Sequence, residues 1–447
     1  MGFLSKLQLI KGDKVIWIIF LLLCVISIVE VYSSSSSLGY KTGNYWFAAL
    51  KHTALLGVGI TFMVILLHIK CRYFKLMTSC LSLLAIPLLI FVLFFGVSEN
   101  DASRWIDLGF FKLQPSELGK AALVFVTAQI LSAMQTKDGV APNTMKYVLT
   151  AAACFILPVA PENLSTAGMM CAVVFIMMFI GRVPLKQLGY LLSVAVMFIV
   201  VVVGVVFLFG QTASPEEEKA RENMHLTELS AAPELQGVDI SSIPESHLKK
   251  YEKKEEPSKI DKLTHRFGTW KRRLLEFANT EEVPSSKYDL DKNRQKGYAS
   301  VAIATSNIVG KGPGNSVQRD FLPQAYSDFI YAIIIEEFGL FGAFFVAMLY
   351  IVLLYRTNHI AKNCKNPFPA FLAMGLALLI VMQALINMCV AVGMFPVTGQ
   401  PLPLISRGGS SSVINCMYIG IILSISRTAA RKDAPVRETA ELQPARA

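Results

Sequence analysis

Read for hydrophobic and polar positions, the chain is a succession of long apolar runs separated by short polar breaks. Each run is near the ~20 residues that cross a bilayer as a helix. Ten such segments can be marked: 15–34, 47–68, 76–97, 117–135, 147–161, 165–181, 188–210, 328–355, 368–394 and 411–426. The fifth and sixth are short and parted only by Pro161-Glu162-Asn163-Leu164, so they also read as one broken hairpin. The first resembles a signal peptide, with Lys6, Lys11 and Lys14 ahead of an apolar core. Only Ser33 to Ser37 follow, with no small-residue cleavage site, which predicts a retained first span.

This pattern predicts an all-α polytopic membrane protein of ten transmembrane helices, one membrane domain over 1–447. Composition agrees: 53% of the 447 residues are hydrophobic and 17% are charged, against ~25% charged in a soluble domain. The net charge of +10 raises the question of nucleic acid. Distribution answers it, because the basic residues collect in short loops between apolar runs, as the positive-inside rule expects. That rule places both termini, including the basic 427–447 tail, on the cytoplasmic side of the membrane.

With that parity a large soluble loop, 211–327, falls on the outer face between the seventh and eighth helices. Its 215–257 part is rich in Glu, Lys and Ser and reads as a mobile insert. From Ile260 to Phe277, Leu263, Phe267, Trp270, Leu274 and Phe277 recur at helical spacing between basic residues. That suits a helix in the headgroup layer or one packed on the outer loops. None of the eight cysteines forms a CxxC pair and the six histidines are scattered, so no zinc site or disulfide framework is indicated.

In such a chain the informative residues are polar ones at membrane depth or in outer loops. Four clusters stand out, all on the expected outer side. Arg104 precedes Gln114-Pro115-Ser116-Glu117, where Pro115 suits a first helical turn. Glu117 and Lys120, at i and i+3, share one helix face as an ion pair or as a cavity wall for a charged headgroup. Pro161 to Gly168 break two spans, as a tight turn or a substrate contact. The third cluster runs from Gly310 through Lys311, Ser316, Arg319 and Asp320 to Asp328, Glu336 and Glu337. Its spaced glycines and cations would let N–H groups approach a phosphate, although no nucleotide P-loop is spelled. Asp328 at a helix start reads as an N-cap or as a functional carboxylate. The fourth is Asn387 followed by Pro396 to Ser412, with Ser406, Gly408, Gly409 and Ser410 as anion or sugar contacts at a helix N-terminus.

Together these motifs resemble the SEDS proteins of bacterial cell-wall synthesis, the family of FtsW, RodA and SpoVE. The pattern GxGxGxS, LPxxxxDFIF and an EE pair is read at Gly310 to Ser316, Leu322-Pro323, Asp328 to Tyr331 and Glu336-Glu337. PTxGxxLPxxSxGGSS is read from Pro396 to Ser411, and RWIxLG with QPSExxK from Arg104 to Lys120. The resemblance covers almost the whole chain and leans to the FtsW branch through Gly314-Asn315-Ser316-Val317-Gln318. The chain departs from the pattern at Asn163 (usually a carboxylate), at Arg407 (usually Tyr), at Tyr326-Ser327 (usually His-Thr) and in its long insert.

The resemblance implies a peptidoglycan glycosyltransferase acting on lipid II during cell division, with Asp328 catalytic. It also implies a class B penicillin-binding protein as transpeptidase partner, alongside other divisome proteins. A carboxylate suits removal of a proton from an attacking sugar hydroxyl. Cations suit the departing lipid diphosphate, with Arg104, Lys120, Lys311 and Arg319 as candidates. A divalent ion such as magnesium or manganese would serve the same end, though no ligand set in the sequence identifies one. A lipid II flippase and a division scaffold are the alternatives.

Overall fold

The structure, a computed structural model, describes residues 11–34, 45–99, 102–107, 112–137, 139–209, 294–322 and 325–430, with Gly268, Lys271 and Leu275. The 215–257 insert and the tail beyond Ala430 lie outside the described residues. So does the 260–277 segment, apart from those last three residues, which are helical.

Helices dominate. In chain order they are α1 (Lys14–Ser34), α2 (Tyr45–His68), α3 (Cys71–Phe95), α4 (Pro115–Ala133), α5 (Thr144–Val159) and α6 (Leu164–Ile180). Then come α7 (Leu185–Phe209), α8 (Arg294–Ala304), α9 (Ile330–Lys362), α10 (Pro367–Ala391) and α11 (Ser410–Ala430). All but α8 fall on the apolar segments marked in the sequence. Seven of them, α1, α2, α3, α7, α9, α10 and α11, are long and apolar enough to cross a membrane. The helices α5 and α6 are shorter, with 16 and 17 residues, and α4 carries Glu117 and Lys120 in its first turns.

Small strands, which the apolar pattern did not predict, join α3 to α4. β1 (Val97–Glu99), β2 (Ala102–Asp107) and β3 (Lys112–Leu113) form an antiparallel sheet, with Ile106 opposite Leu113 and Asp107 opposite Lys112. A two-stranded ribbon, β4 (Gln135–Thr136) and β5 (Gly139–Val140), follows α4.

Residues 1–191 and 283–447 form one compact unit, and Leu192–Glu282 forms a second that contains most of α7. Within the first unit α10 and α11 are the most enclosed spans. The α2–α11 contact is close because Gly59 faces Cys416 and Gly420 faces the Met63 backbone. Small residues let helices approach in this way where lipid supplies no hydrophobic drive. At one end of the unit Asp13 caps α1 through the N–H groups of Val15 and Ile16. The same carboxylate receives Arg356 of α9 at 2.7 Å, while the Asp13 N–H donates to Ser426 of α11. That knot explains why α9 continues past 355, where the apolar run stops, to Lys362.

Candidate functional site

Helix α9 is interrupted near its start. Gly339 adopts φ +66° and ψ −164° inside it, which L side chains rarely do. The break frees the carbonyls of Glu336 and Glu337, and the 310–320 loop takes them: Lys311 N–H donates to the first (3.0 Å) and Gly312 N–H to the second (2.8 Å). Gly310 is pressed so closely there that a Cβ would collide with the Glu337 carbonyl, as one on Gly339 would with that of Ile308.

The side chains of the pair complete the docking. Both carboxylates are fully buried. Glu336 accepts from Lys311 Nζ (2.6 Å), Ser316 Oγ (2.5 Å) and the N–H groups of Val317 and Gln318. Glu337 accepts from Gly314 N–H (2.9 Å) and from Ser33 Oγ of α1. Arg319 Nη1 donates to Ser33 Oγ and to the Gly314 carbonyl. The sequence pattern foresaw glycine-spaced N–H groups around an anion. The anion they meet here is the chain's own Glu336 and Glu337. Asp320 ends the loop at the surface, in a short 3-10 turn.

Asp328 lies in the turn that leads into α9. The residue at the N-cap is Phe329, one position beyond Asp328. The Asp328 Oδ1 accepts from Ser327 Oγ (2.9 Å), and the residue is half-buried. Three successive carbonyls of this turn are held by the segment that ends α10 and leads to α11. Tyr326 O accepts from Arg407 N–H (3.0 Å), Ser327 O from Ser406 Oγ (2.6 Å) and Asp328 O from Asn387 Nδ2 (2.8 Å). Asn387 Nδ2 also donates to Gln400 O (2.7 Å), and Gln400 Nε2 reaches Thr166 Oγ1 at the start of α6. Two carbonyls facing one amide nitrogen fix the orientation of the Asn387 amide. Ser406 Oγ in turn accepts from Leu402 N–H.

The remaining sequence candidates are placed as follows. Glu117 and Lys120 are buried together, with Nζ 2.8 Å from both carboxylate oxygens. Nζ donates also to Gln383 Oε1 (2.7 Å), whose amide nitrogen holds the Pro401 carbonyl. The pair therefore reaches the Asp328 clamp through Gln383 and Pro401. Arg104 lies in β2. Ser410 Oγ accepts from Gln114 N–H ahead of α4, and Gly408 O accepts from Ser411 N–H. In the second cluster Asn163 caps α6, accepting from Thr166 N–H at 3.1 Å. Two contributors were noted in the sequence without a site role, Asn387 at the head of the fourth cluster and the half-buried Arg407 as a departure from the family pattern. For Asn387 the only signal was a lone amide within an apolar run. Among the described residues no group of three or more His, Cys, Asp or Glu can hold a metal ion.

Comparison with known proteins gives the chain's relatives. The chain matches the family described as cell cycle protein, FtsW/RodA/SpoVE, over residues 13–215 and 263–431. It is 28% identical over 436 residues to a Geobacter metallireducens protein named probable peptidoglycan glycosyltransferase FtsW, covering 95% of this chain and 96% of that one. It is 27% identical over 424 residues to stage V sporulation protein E of Bacillus subtilis, covering 93% and 97%. Its fold is similar to a chain solved in work on coordinated polymerization and crosslinking by a peptidoglycan synthase complex. That match has a TM-score of 0.64 at 20% identity, covering 94% of this chain and 99% of that one. RodA of Thermus thermophilus matches with a TM-score of 0.58 at 18% identity, covering 95% and 98%.

Proposed function

The chain belongs to the FtsW/RodA/SpoVE family of cell cycle proteins, and from that premise we propose that it is a peptidoglycan glycosyltransferase. It polymerises lipid II into glycan strands at the outer face of the cytoplasmic membrane during cell division. The observation that carries the reading is Asp328: a half-buried carboxylate on a turn whose three carbonyls are clamped by the 387–407 segment. A group held this way is suited to general-base work, which needs a fixed reach to one proton. Asp328 takes the proton of the acceptor sugar hydroxyl as that oxygen attacks the anomeric carbon of the donor. The lipid diphosphate then leaves.

In this reading the Glu336–Lys311 and Glu337–Ser33–Arg319 contacts hold the outer loop on α9, and Glu117–Lys120 braces the clamp from α4. Helices α4, α5 and α6 complete ten crossings with both termini inside. The crosslinking partner is a class B penicillin-binding protein, whose span packs on the exposed α9 row of Phe341, Phe344, Phe345 and Ile351. Other divisome proteins join that pair.

The test is polymerisation of purified lipid II by the purified protein, with and without the partner, in the presence of moenomycin to silence classical glycosyltransferases. Glycan strands should form. Asp328→Asn should lower the rate at least ~10²-fold, the lower end for a positioned acid–base group. The fold should be kept, because Asn has the size of Asp and still accepts from Ser327. Near wild-type polymerisation by Asp328→Asn would remove the general-base mechanism and leave transport or scaffolding in its place.

A further inference from the structure

A departing lipid diphosphate needs a cation, and the motif spacing offers several. Most are already engaged. Lys120 is buried against Glu117 and Gln383, Lys311 lies on Glu336, and Arg319 donates to Ser33 and the Gly314 carbonyl. Arg407 differs from all of these. Its backbone N–H is bonded to Tyr326 O, and its guanidinium carbon sits 5.4 Å from the centroid of the Tyr326 ring. The side chain is half-buried, and among the described residues no carboxylate pairs with it. Burial pushes its pKa down from the usual arginine value, while Tyr326 pulls it up.

A partly desolvated charge without an opposite charge is costly to keep. The Tyr326 ring offers the guanidinium a cation–π contact, and the guanidinium N–H donors form a fork that fits phosphate oxygens in pairs. Asp328 is two residues from Tyr326 on the same clamped turn. The N-terminus of α11 begins at Ser410, three residues beyond Arg407, and adds its positive end.

We propose that Arg407 binds the diphosphate of the lipid-linked substrate beside Asp328. The inference rests on the glycosyltransferase reading above and assigns the anion-binding role to a residue outside the spaced-glycine motif. The shared chemistry is a phosphate group at the membrane surface, and the anionic headgroup of a bulk phospholipid could supply it as well.

Steady-state polymerisation with Arg407→Gln and Arg407→Lys decides the matter, with inorganic pyrophosphate and phosphatidylglycerol as competitors. Arg407→Gln should raise the KM for lipid II about ten- to a hundredfold, the range for losing hydrogen bonds to a charged group. Arg407→Lys should restore only part of that loss, the charge without the fork. Pyrophosphate should inhibit the wild type competitively and lose potency with Arg407→Gln by a similar factor, while phosphatidylglycerol at equal phosphate leaves the rate unchanged. Competition by phosphatidylglycerol would overturn the assignment to the substrate. An unchanged KM and unchanged pyrophosphate inhibition, with a lowered Tm, would reduce Arg407 to packing on Tyr326. Calorimetric titration of wild type and Arg407→Gln with pyrophosphate reads this inference without turnover. An active Asp328→Asn enzyme would sink the mechanism but leave that titration valid.

Discussion

The loops 310–320 and 396–412 look alike as sequence, both with spaced glycines, small hydroxyl residues and cations, yet they resolve their charge in opposite ways. The first meets two buried carboxylates on α9. Its N–H groups, Lys311 and Ser316 converge on Glu336, with Gly314 N–H and Ser33 on Glu337. It is a self-neutralised scaffold. The second meets backbone carbonyls. Asn387, Ser406 and the Arg407 N–H hold the Asp328 turn without any acid, which leaves the Arg407 charge for something outside the chain. Glycine spacing marks close approach of backbones. Whether an external anion is welcome depends on whether the chain itself brings a carboxylate.

The largest effect is expected in the scaffold. Gly310→Ala or Gly339→Ala would drive a Cβ into a backbone carbonyl at a position where φ is positive, and backbone cannot yield as a flexible side chain does. A cost of roughly 4–5 kcal/mol is expected, read as loss of the monodisperse folded species on size exclusion in mild detergent. A folded, active Gly310→Ala protein would show that the loop is not fastened to α9 as described. Next comes Glu336→Gln, which leaves Lys311 beside a neutral amide. Breaking a partly buried pair from one side costs about 3 kcal/mol, and Lys311→Met in the same protein should recover part of it. Additive losses in the two thermal melts would contradict the pairing.

Much of the fold was legible because a bilayer demands long apolar runs, and the helices other than α8 sit on those runs. The clusters were legible too, since polar residues at membrane depth are few. What joins them was not. Ser33 with Glu337, Lys120 with Gln383 and Asn387 with Asp328 lie far apart in sequence, and nothing in local spacing pairs them. Gly339 gave no sign of its break, because a glycine within an apolar run reads equally as a packing residue. Asp328 read equally as a cap or as a functional carboxylate because it stands just ahead of an apolar run, and the first helical residue is Ile330. In the β1–β3 sheet, β1 and β3 are too short for alternation to be recognised, and β2 (Ala-Ser-Arg-Trp-Ile-Asp) does not alternate apolar with polar.

The clamp predicts a smaller loss of stability with a clear loss of rate. Asn387→Leu keeps the branched shape but removes the two donors that face Asp328 O and Gln400 O. Losing those bonds costs about 2 kcal/mol, and the Asp328 turn loses its hold. Polymerisation should fall more than tenfold with the KM for lipid II little changed, because Asn387 acts through Asp328 rather than on substrate. A rise in KM alone would move Asn387 into the binding surface and break the contrast between positioning by carbonyls and binding by Arg407.

The smallest effect concerns Glu30, the acid that lacks what Glu336 and Glu337 possess. It is fully buried in α1, one turn before Ser33, and neither carboxylate oxygen has a hydrogen-bond partner among the described residues. Glu337 lies within electrostatic reach of it. Among the described residues Lys311 pairs with Glu336 and Arg319 reaches Glu337 through Ser33, while no cation bonds Glu30. A buried carboxyl group without donors brings desolvation cost and no compensating bond, and replacing such a group by a neutral side chain of similar volume is often neutral or stabilising. Glu30→Gln should leave polymerisation unaltered and shift Tm upward by no more than roughly 2–4 °C, the equivalent of about 1 kcal/mol. Glu337→Gln, in contrast, removes an acceptor that Ser33 and Gly314 both use and should lower Tm. If Glu30→Gln melts lower than wild type while Glu337→Gln does not, the scaffold's charge is balanced at α1 rather than at α9, and the division between the two loops has to be redrawn.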